Sequence, residues 1–459
     1  MFTRRNLRLT LATATAVSLT GGLLTFSVGV ADAATPAKYA DDFNGDGYRD
    51  YAVTGDGAFT VTYGTATGPG TESATFTQRS PGVPGTAGDA GGFVDTFGED
   101  LAAADLNRDG YADLAVADRS EKVSGKVASG AVTIMWGAKT GLGSKATRLP
   151  VKAKSHQGFG NELETGDFNG DGKADLAVAD GIDTVRIYRG GFSQSGTTGQ
   201  VTKHTPSPNV TDVLEPTGLV AGKVTKDKAT DLYVLGQGYR NDKMTQDAWF
   251  LRGGSTVKSG KLTKINNSSP DYDPTGVIAD FDKNGYGDLA VSDTPYNKGA
   301  GSVVVVRGGA SGPTTTYRLT QATSGVATAA TKHDSFGADL SAGETNGDGY
   351  PDLAVGVPEE KVGSAETAGG VHILRGGPRG VTGTGSQWFT RATAGVPGSP
   401  KEMEMFGLAV RLRDLDGDGD RDLLAAGDND ELSLLFPAGA SGITTGSVTE
   451  LGLRPSFPQ

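Results

Sequence analysis

The chain has 459 residues, with 71 Gly and no Cys, and its formal net charge is −12. The lack of Cys excludes a disulfide framework, a thiol enzyme and a zinc site built on thiolates. The acidic balance argues against nucleic acid as a partner. Abundant Gly, together with many short strand-like runs and no long amphipathic helical period, predicts an all-β protein.

Residues 1–33 have the composition of an export signal. Arginines near the start are followed by a long apolar segment and by a small-residue cleavage site at residues 31–33. The paired arginines resemble a twin-arginine signal, although ordinary secretion signals also carry them. An uncleaved membrane anchor is the alternative, which the Thr, Ser and Gly content of the segment disfavours. We predict a secreted, extracellular protein with no membrane span after signal removal and a single mature domain at residues 34–459.

A nine-residue acidic loop recurs seven times along the chain. Six copies keep oxygen-bearing side chains at positions 1, 3, 5 and 9 and Gly at position 6. Alternating oxygens that converge on one point suit Ca²⁺, which takes about six to eight oxygen ligands in irregular geometry, better than the strictly octahedral Mg²⁺. Solvated Asx turns are the alternative, since Asp, Asn and Gly also favour them. The seven copies are residues 42–50, 105–113, 167–175, 223–231, 280–288, 344–352 and 414–422.

The predicted ligands are the side chains at positions 1, 3, 5 and 9 and the main-chain carbonyl of position 7. Without an ion the carboxylates would repel one another, by roughly 1 kcal/mol for each pair about 4 Å apart in water. The loops are not EF-hands, because position 12 is Val or Ala rather than Glu and a strand follows. We predict about six Ca²⁺ sites, formed by Asp42, Asn44, Asp46, Tyr48, Asp50, Asp105, Asn107, Asp109, Tyr111, Asp113, Asp167, Asn169, Asp171, Lys173, Asp175, Asp280, Asp282, Asn284, Tyr286, Asp288, Glu344, Asn346, Asp348, Tyr350, Asp352, Asp414, Asp416, Asp418, Asp420 and Asp422.

The fourth copy, residues 223–231, departs from the pattern. Lys223 occupies position 1 and Lys228 replaces the Gly of position 6, so we predict no Ca²⁺ in this loop. Either the ammonium group of Lys223 takes the place of the metal between Asp227 and Asp231, or the loop is a degenerate solvated turn. The fifth copy has Asn at position 5 and the sixth has Glu at position 1. We expect both to bind more weakly than the seventh, which carries the most carboxylates.

Each repeat shows the same order of predicted strands. A strand leads into the acidic loop, Asp-Leu-Ala-Val or a variant follows it, a third apolar strand begins after Gly, and a more polar stretch closes the unit. Successive loops start 56 to 70 residues apart, which suits a propeller blade. The pattern predicts a seven-bladed β-propeller of four-stranded antiparallel blades, with the calcium loops between the first and second strands. The first unit is predicted to begin with its innermost strand near Lys38, which favours closure of the ring by blade packing.

A Phe-Gly pair precedes four of the loops, at Phe97, Phe159, Phe336 and Phe406. Phe-Gly, an acidic loop and then a Gly-containing strand form the pattern of FG-GAP repeats. Over residues 38–451 the chain resembles an FG-GAP (VCBS-like) repeat protein, similar to the seven-bladed propeller of integrin α-subunits. The resemblance implies a closed propeller with Ca²⁺ in the loops between the first two strands of each blade.

Strand direction alternates within a blade, so the connections fall on two faces. The acidic loops join strands 1 and 2 on the metal face, whereas connections between strands 2 and 3 and between neighbouring blades lie on the opposite face, the insert face. Because long loops on a rigid scaffold often carry function, we expect a ligand on the insert face; for any single loop, tolerated insertion is the alternative. The long inserts are residues 78–96, 118–129, 236–246, 321–335, 357–368 and 391–405.

Three functions are compatible with this sequence. A non-catalytic extracellular binding or adhesion scaffold accounts for the repeats, the export signal and the metal loops. A lectin is the second, although no aromatic residue recurs once per blade on the insert face. A secreted hydrolase or lyase is the third, but no Gly-x-Ser-x-Gly or His-Glu-x-x-His motif is present. We predict the first, with no catalytic residue and no organic cofactor, and expect a monomer whose partner is an extracellular protein or glycan.

Overall fold

The computed structural model describes residues 35–88, 94, 96–143, 145–206, 213–240, 243–267, 273–428, 433–454 and 457. The chain divides into two units, residues 1–34 and 35–459. The predicted export signal lies outside the described residues, all of which belong to the second unit. Within its described part, no helix is long and apolar enough to cross a membrane.

Seven antiparallel sheets follow one another along the chain, and within each sheet the strands pair in chain order. The first sheet has three strands and the other six have four. A four-residue helical turn, α1 (Tyr296–Gly299), lies within the fifth sheet's connections. We call these sheets blades 1 to 7, in chain order. Blade 1 contains β1 (Tyr51–Gly55), β2 (Ala58–Thr65) and β3 (Gly68–Thr77); blade 2 contains β4 (Leu101–Ala104), β5 (Asp113–Asp118), β6 (Ala131–Met135) and β7 (Ala146–Arg148); blade 3 contains β8 (Phe159–Gly166), β9 (Asp175–Asp180), β10 (Val185–Tyr188) and β11 (Val201–His204); and blade 4 contains β12 (Val213–Gly222), β13 (Asp231–Arg240), β14 (Lys243–Arg252) and β15 (Lys258–Asn266). Blade 5 contains β16 (Gly276–Ala279), β17 (Asp288–Ser292), β18 (Val303–Val306) and β19 (Thr316–Leu319); blade 6 contains β20 (Leu340–Gly343), β21 (Asp352–Val357), β22 (Gly370–Arg375) and β23 (Thr382–Phe389); and blade 7 contains β24 (Ala409–Arg413), β25 (Asp422–Ala426), β26 (Ser433–Phe436) and β27 (Thr449–Leu451).

The second strand of a blade is buried on both of its faces. Every residue of β5, β9 and β21 is buried, whereas the outermost strands β3 and β15 are largely exposed or half-buried. Continuous apolar runs such as Asp-Leu-Ala-Val are therefore explained by packing against a neighbouring blade on each side.

The hydrophobic core is divided into seven clusters, one at each junction between neighbouring blades. At the junction of blades 2 and 3, for example, Ile134 packs with Tyr188. The last cluster joins Leu424 of blade 7 to Tyr51 of blade 1. Because a cluster fills every junction, the ring is closed, and the prediction of an all-β seven-bladed propeller is confirmed.

Blade 1 lacks the innermost strand that the sequence predicts near Lys38. Among the described residues its first strand is β1, which follows the acidic loop and so corresponds to the second strand of the other blades. The end of the chain packs beside it instead. The ring of Phe457 lies edge-on against Tyr51 at 5.3 Å, and its carbonyl accepts a hydrogen bond from Nε of Arg411 in β24 at 3.0 Å. The prediction of that strand is wrong, and closure uses the returning chain end as well as blade packing.

The Phe-Gly pairs join neighbouring blades. The N–H groups of Phe159, Phe336 and Phe406 each donate to a carbonyl of the preceding blade, at 3.0 to 3.1 Å, and all three side chains are fully buried. Phe336 and Phe406 also form parallel β-bridges with Gly301 and Gly369, which precede the third strand of the preceding blade. The sequence pattern thus corresponds to a physical contact between the third strand of one blade and the entry to the next.

Candidate metal centres and the insert face

The acidic loops connect the first and second strands in blades 2 to 7, and in blade 1 the loop runs directly into β1. In four loops the carboxylate of position 1 accepts the N–H groups of positions 5 and 6. In the first loop, Asp42 accepts from Asp46 at 3.1 Å and from Gly47 at 2.9 Å. Gly47 has a φ of 90°, which Gly adopts without strain. These hydrogen bonds curl the loop around its own oxygen-bearing side chains.

The aspartate at position 9 anchors each loop to its blade. It is buried in every repeat, and its Oδ1 accepts an N–H group at the end of the third strand, from Gly137 to Asp113 and from Gly308 to Asp288 at 2.9 Å. A Cβ atom added at Gly137 would lie 2.0 Å from the carbonyl oxygen of Ala112, so only Gly fits there. These glycines were not among the predicted site residues, although a Gly after the third strand recurs in most repeats.

Three of the predicted ligand oxygens are buried and have no hydrogen-bond partner among the described residues: Oδ2 of Asp175, Oδ2 of Asp288 and Oε2 of Glu344. Burying a carboxylate oxygen without a partner is costly, so a bound ion at each of these atoms would remove a cost that the described protein groups leave in place. In the seventh loop, the carboxylates of positions 1, 3 and 5 lie within 4.8 Å of one another. These oxygen-only donor sets fit a hard divalent cation such as Ca²⁺.

Burial raises the pKa values of the aspartates at position 9. The pKa reaches about 7 at Asp50, about 8 at Asp113 and about 6 at Asp288, and the charges of neighbouring carboxylates in the same loops add to the effect of burial. A cation within the loop would favour the ionised form of each group by opposing both causes. The electrostatics of the loops therefore also fit a bound cation.

In the fifth and sixth predicted sites, an arginine that was not predicted there donates a hydrogen bond to a ligand carboxylate, whereas the seventh site has only a longer ion pair of 3.9 Å. Nη1 of Arg307 donates to Asp282, at position 3 of the fifth loop, at 2.8 Å. Nη1 of Arg375 donates to Asp352, at position 9 of the sixth loop, at 2.7 Å. Each guanidinium group places positive charge where a cation would also bind, so these two loops fit Ca²⁺ less well. The weaker binding expected of the fifth and sixth loops stays a prediction, now with an additional physical reason.

In the fourth loop, protein groups satisfy the aspartate at position 9. Oδ2 of Asp231 accepts the N–H and the hydroxyl of Thr225 at 2.7 and 2.9 Å, and Oδ1 accepts the N–H of Gly253 at 2.9 Å. The corresponding Oδ2 atoms in the third and fifth loops have no partner within the described part of the chain. In the degenerate loop, internal hydrogen bonds therefore satisfy the carboxylate oxygen that lacks a partner in the third and fifth loops.

Lys223 does not lie between the two carboxylates of this loop. Its ammonium group donates to the carbonyl of Lys228, while Asp227 pairs with Arg252 at 3.1 Å. The hypothesis that Lys223 replaces the metal between Asp227 and Asp231 is therefore wrong, because other groups have taken up those oxygens.

Neighbouring acidic loops contact one another around the metal face. The N–H of position 8 donates to the carbonyl of position 1 in the preceding loop, as from Ala112 to Asp42 at 2.8 Å and from Arg421 to Glu344 at 2.7 Å. The ammonium group of Lys283 lies over the ring of Tyr350 in the next loop, 5.1 Å from its centre. The shape of one loop therefore depends on the shape of its neighbours.

Other carboxylates lie near the propeller axis, where innermost strands converge. Oδ2 of Asp100 in blade 2 accepts the N–H of Leu163 in blade 3 at 2.6 Å, and Oδ2 of Asp339 in blade 6 accepts the N–H of Val410 in blade 7 at 2.8 Å. Glu164 lies in β8, and burial, helped by the charge of Asp100, raises its pKa to about 8. Asp100 and Asp339 therefore join neighbouring blades through these main-chain hydrogen bonds.

Replacing Glu164 by glutamine is expected to flatten the dependence of stability on pH. The pKa of Glu164 is raised from 4.5 to about 8 in the folded protein. Between these values the folded protein binds more protons than the unfolded chain, so the wild type loses stability as pH rises from about 4.5 to about 8. The amide of Glu164→Gln stays neutral. We therefore expect the free energy of unfolding of this variant to be higher than that of the wild type by on the order of 1 kcal/mol near pH 8 and to be the same near pH 5.

Urea unfolding of both proteins in saturating calcium at the two pH values measures this difference. The matched control is Glu450→Gln, which makes the same change at an exposed position of β27 and is expected to leave the profile unchanged. Parallel pH profiles for Glu164→Gln and the wild type would contradict the assignment.

Three inserts of the insert face begin with the same turn. In residues 78–96, 321–335 and 391–405, the N–H of the residue just before the insert bonds to a hydroxyl three positions later. In the second and third of these, the hydroxyl belongs to Thr323 and Thr393, and the bonds measure 2.9 and 3.0 Å. The start of each insert is thus a repeated element of the scaffold, and variation is confined to the remainder of the insert.

The insert face carries most of the exposed large apolar side chains. Five of them lie in connections of this face, with exposed fractions from 38 to 82%: Val94, Ile182, Tyr239, Tyr296 and Met403. A cavity of about 320 Å³ also opens on this face, between blades 2, 3 and 4. Single apolar residues are normal on a protein surface, but most of the exposed large ones in the described part of the chain lie on this face rather than on the metal face.

Two family models match parts of the chain. A model described as an FG-GAP-like repeat matches residues 42–116 and 105–178, and a model described as an FG-GAP repeat matches residues 336–374. The first two segments begin at an acidic loop, and the third begins at the Phe-Gly pair of blade 6. No curated protein matches the chain.

Solved structures with a similar course of the chain include a lectin from Agrocybe aegerita, described as recognising non-reducing terminal N-acetylglucosamine. It has a TM-score of 0.52 and 13% identity, over 88% of this chain and 90% of that chain. A triple-arginine mutant of AofleA from Arthrobotrys oligospora has a TM-score of 0.37 and 12% identity, over 77% of this chain and 86% of that chain. A rhamnogalacturonan lyase from Bacillus licheniformis has a TM-score of 0.33 and 12% identity, over 84% of this chain and 80% of that chain. At such low identity, the likeness to the Agrocybe lectin shows a shared fold alone.

Proposed function

We propose, from the premise that the chain is an FG-GAP repeat protein, that it is a secreted, calcium-stabilised binding scaffold without catalytic activity. Ca²⁺ would bind in the acidic loops of the metal face, and an extracellular protein or glycan would bind on the insert face. The observation that carries this proposal is the separation of two kinds of residue: oxygen-rich loops gather on one face and exposed apolar side chains on the other.

Ca²⁺ would supply the positive charge that the acidic loops lack. The side chains at positions 1, 3, 5 and 9 would hold it, with the unpartnered buried oxygen of Asp175 in the third loop as the best support for this part of the proposal. Six divalent ions would also offset the formal net charge of −12. The ion would therefore hold each loop closed and reduce the repulsion among carboxylates on the metal face.

Four buried or half-buried carboxylates outside the acidic loops make structural contacts, which supports binding rather than catalysis. Asp180 pairs with Arg186, and Asp293 pairs with Arg318. Asp100 and Asp339 accept main-chain N–H groups of the next blade. These carboxylates are engaged in holding strands and blades together, which leaves them unsuited to general acid–base work.

Carbohydrate is a second candidate partner. The Agrocybe aegerita lectin, which shares the fold, is described as recognising a terminal sugar, and the cavity of about 320 Å³ on the insert face falls in the size range of small-molecule sites. A sugar in that cavity would make the protein a lectin, whether or not a protein partner also binds the insert face.

Site-specific photo-crosslinking tests which face binds the partner. A photoreactive residue at Met403, which is 63% exposed on the insert face, is expected to capture a partner from the extracellular material of the producing cells. The matched control carries the same residue at Lys139, which is exposed on the metal face, and is expected to capture none. Capture from Lys139 alone, or equally from both positions, would overturn the assignment of the faces.

A further inference from the structure

The cavity on the insert face lies where blades 2, 3 and 4 meet. Its volume is about 320 Å³, and its walls include Arg119 from blade 2, Gln157 and Ile182 from blade 3, and Glu215 from blade 4. None of these residues belongs to an acidic loop. The cavity is therefore separate from the predicted metal sites and is built by side chains that take no part in them.

Two polar side chains at the cavity are held in fixed positions. Nε of Arg119 pairs with Glu99 at 3.0 Å, and its Nη1 donates to Oδ1 of Asn161 at 3.1 Å. Asn161 in turn donates from Nδ2 to the carbonyl of Pro216 at 3.0 Å. This series of hydrogen bonds crosses three blades, so the guanidinium group is oriented before any ligand arrives. A guanidinium has five N–H donors, which leaves further ones for a ligand.

Two hydrogen-bond acceptors at the cavity are available. Oε1 of Gln157 is buried and has no hydrogen-bond partner among the described residues, while the amide nitrogen of Gln157 donates to Asp180. Glu215 is exposed, and its carboxylate makes no hydrogen bond or ion pair within the described part of the chain. Ile182 adds an apolar surface that is 65% exposed. A ligand would thus meet donors, acceptors and an apolar patch together.

This combination of groups determines the class of ligand. Phosphate or sulfate is disfavoured because Arg119 is already paired with Glu99 and because Glu215 also lines the cavity, and a small cation is disfavoured by Arg119 itself. Sugar hydroxyl groups both donate and accept hydrogen bonds, so they match Arg119, Gln157 and Glu215 at once. The C–H face of a sugar ring would pack on Ile182. The volume lies at the lower end of the range for small-molecule sites, which suits a small saccharide.

We propose that this cavity binds a small neutral saccharide, with Arg119 as donor, Gln157 and Glu215 as acceptors, and Ile182 under the ring. The proposal rests on the proposed function, since it takes up the candidate sugar site on the insert face, and it adds the residues that would hold the sugar and the role of each. A protein partner could still bind elsewhere on this face, so the two proposals fail separately.

The test is saturation-transfer NMR followed by calorimetric titration on the full propeller in calcium. The probes are the methyl glycosides of glucose, galactose, mannose and N-acetylglucosamine, with inorganic phosphate and free lysine as charged comparisons. We expect at least one glycoside to bind and both charged probes to fail. Ile182→Glu is expected to weaken glycoside binding about tenfold or more, because it places an unpaired charge against the sugar ring. Gln157→Met, which removes the buried acceptor at similar size, is expected to weaken it too.

The control is Val201→Glu, the same kind of change at an exposed apolar residue of β11 that lies outside the cavity lining and is not part of the insert face. It is expected to leave glycoside binding unchanged. The proposal is overturned if no glycoside binds, if phosphate or lysine binds instead, or if Ile182→Glu and Gln157→Met both bind as the wild type does. Capture of a protein through Met403 alongside any of these results would leave the binding scaffold standing and remove only the saccharide site.

Discussion

Removing calcium with a chelator is expected to lower the melting temperature of this protein by about 10 °C. An ion that binds only the folded state adds RT ln(1 + [Ca²⁺]/Kd), which is roughly 1.4 kcal/mol for a site with free calcium at about ten times Kd. About six such sites would contribute roughly 8 kcal/mol to the free energy of unfolding. For a domain of this length, that corresponds to a shift of about 10 °C in the melting temperature. Calorimetry with and without chelator measures the shift, and re-addition of calcium should reverse it. An unchanged melting temperature would contradict the structural role of the loops.

Single-residue variants in neighbouring blades separate calcium binding from ordinary anchoring. Asp175 and Asp231 hold the same position, and each accepts the N–H of the glycine after its third strand, at 2.7 and 2.9 Å. In each case asparagine keeps an oxygen for that bond. Asp175→Asn is expected to remove one calcium from the binding stoichiometry and to reduce the calcium-dependent rise in melting temperature. Asp231→Asn, the matched control in the degenerate fourth loop, is expected to leave both unchanged. Equal losses in the two variants would contradict the assignment of the fourth loop as metal-free.

The sequence was sufficient for features that depend on neighbouring residues. The loops from Asp42 to Asp422 have a local hydrogen-bond pattern, because the carboxylate of position 1 reaches N–H groups only four and five residues away. Alternation of strands and loops then sets the two faces, since chain direction reverses at every turn. Buried Asp-Leu-Ala-Val runs identified the strands that pack on both sides. All of these inferences need only a short window of sequence.

Features that depend on distant pairs were not predictable in the same way. The closing junction is one example: Arg413 donates to Asp41 across 372 positions of sequence, and Phe457 packs on Tyr51. The arginine beside the sixth loop is another, since Arg375 reaches Asp352 from a different strand. A charged residue in a sequence shows its charge but not the partner that the fold brings to it. The misassigned role of Lys223 has the same cause, because other groups in the folded blade satisfied the carboxylates first.

Gly369→Ala is expected to destabilise the protein by about 3 kcal/mol or more. This is the second large effect that we expect, after that of calcium removal. Gly369 has a φ of 75°, a conformation that costs an L-residue roughly 1 to 2 kcal/mol. A Cβ atom there would also lie 2.3 Å from the carbonyl oxygen of Phe406 and 2.7 Å from that of Pro358. The carbonyl of Phe406 belongs to the entry of blade 7 and yields only if the junction of blades 6 and 7 opens, which would weaken the hydrophobic cluster at that junction. Urea unfolding in saturating calcium measures the loss.

Gly363→Ala is the matched control, because it separates backbone strain from the contact between blades. Gly363 lies in the same connection with a φ of 63°, and nothing lies within 4 Å of an added Cβ atom. The free energy of unfolding of Gly363→Ala should fall only by the cost of the left-handed conformation, about 1 to 2 kcal/mol. The excess for Gly369→Ala then measures the close approach of the third strand to the next Phe-Gly pair. If both variants lose the same free energy, Phe-Gly and the glycine before the third strand do not act as an inter-blade contact. If the excess appears, the sequence pattern that identifies the repeat is also the contact that holds its ring together.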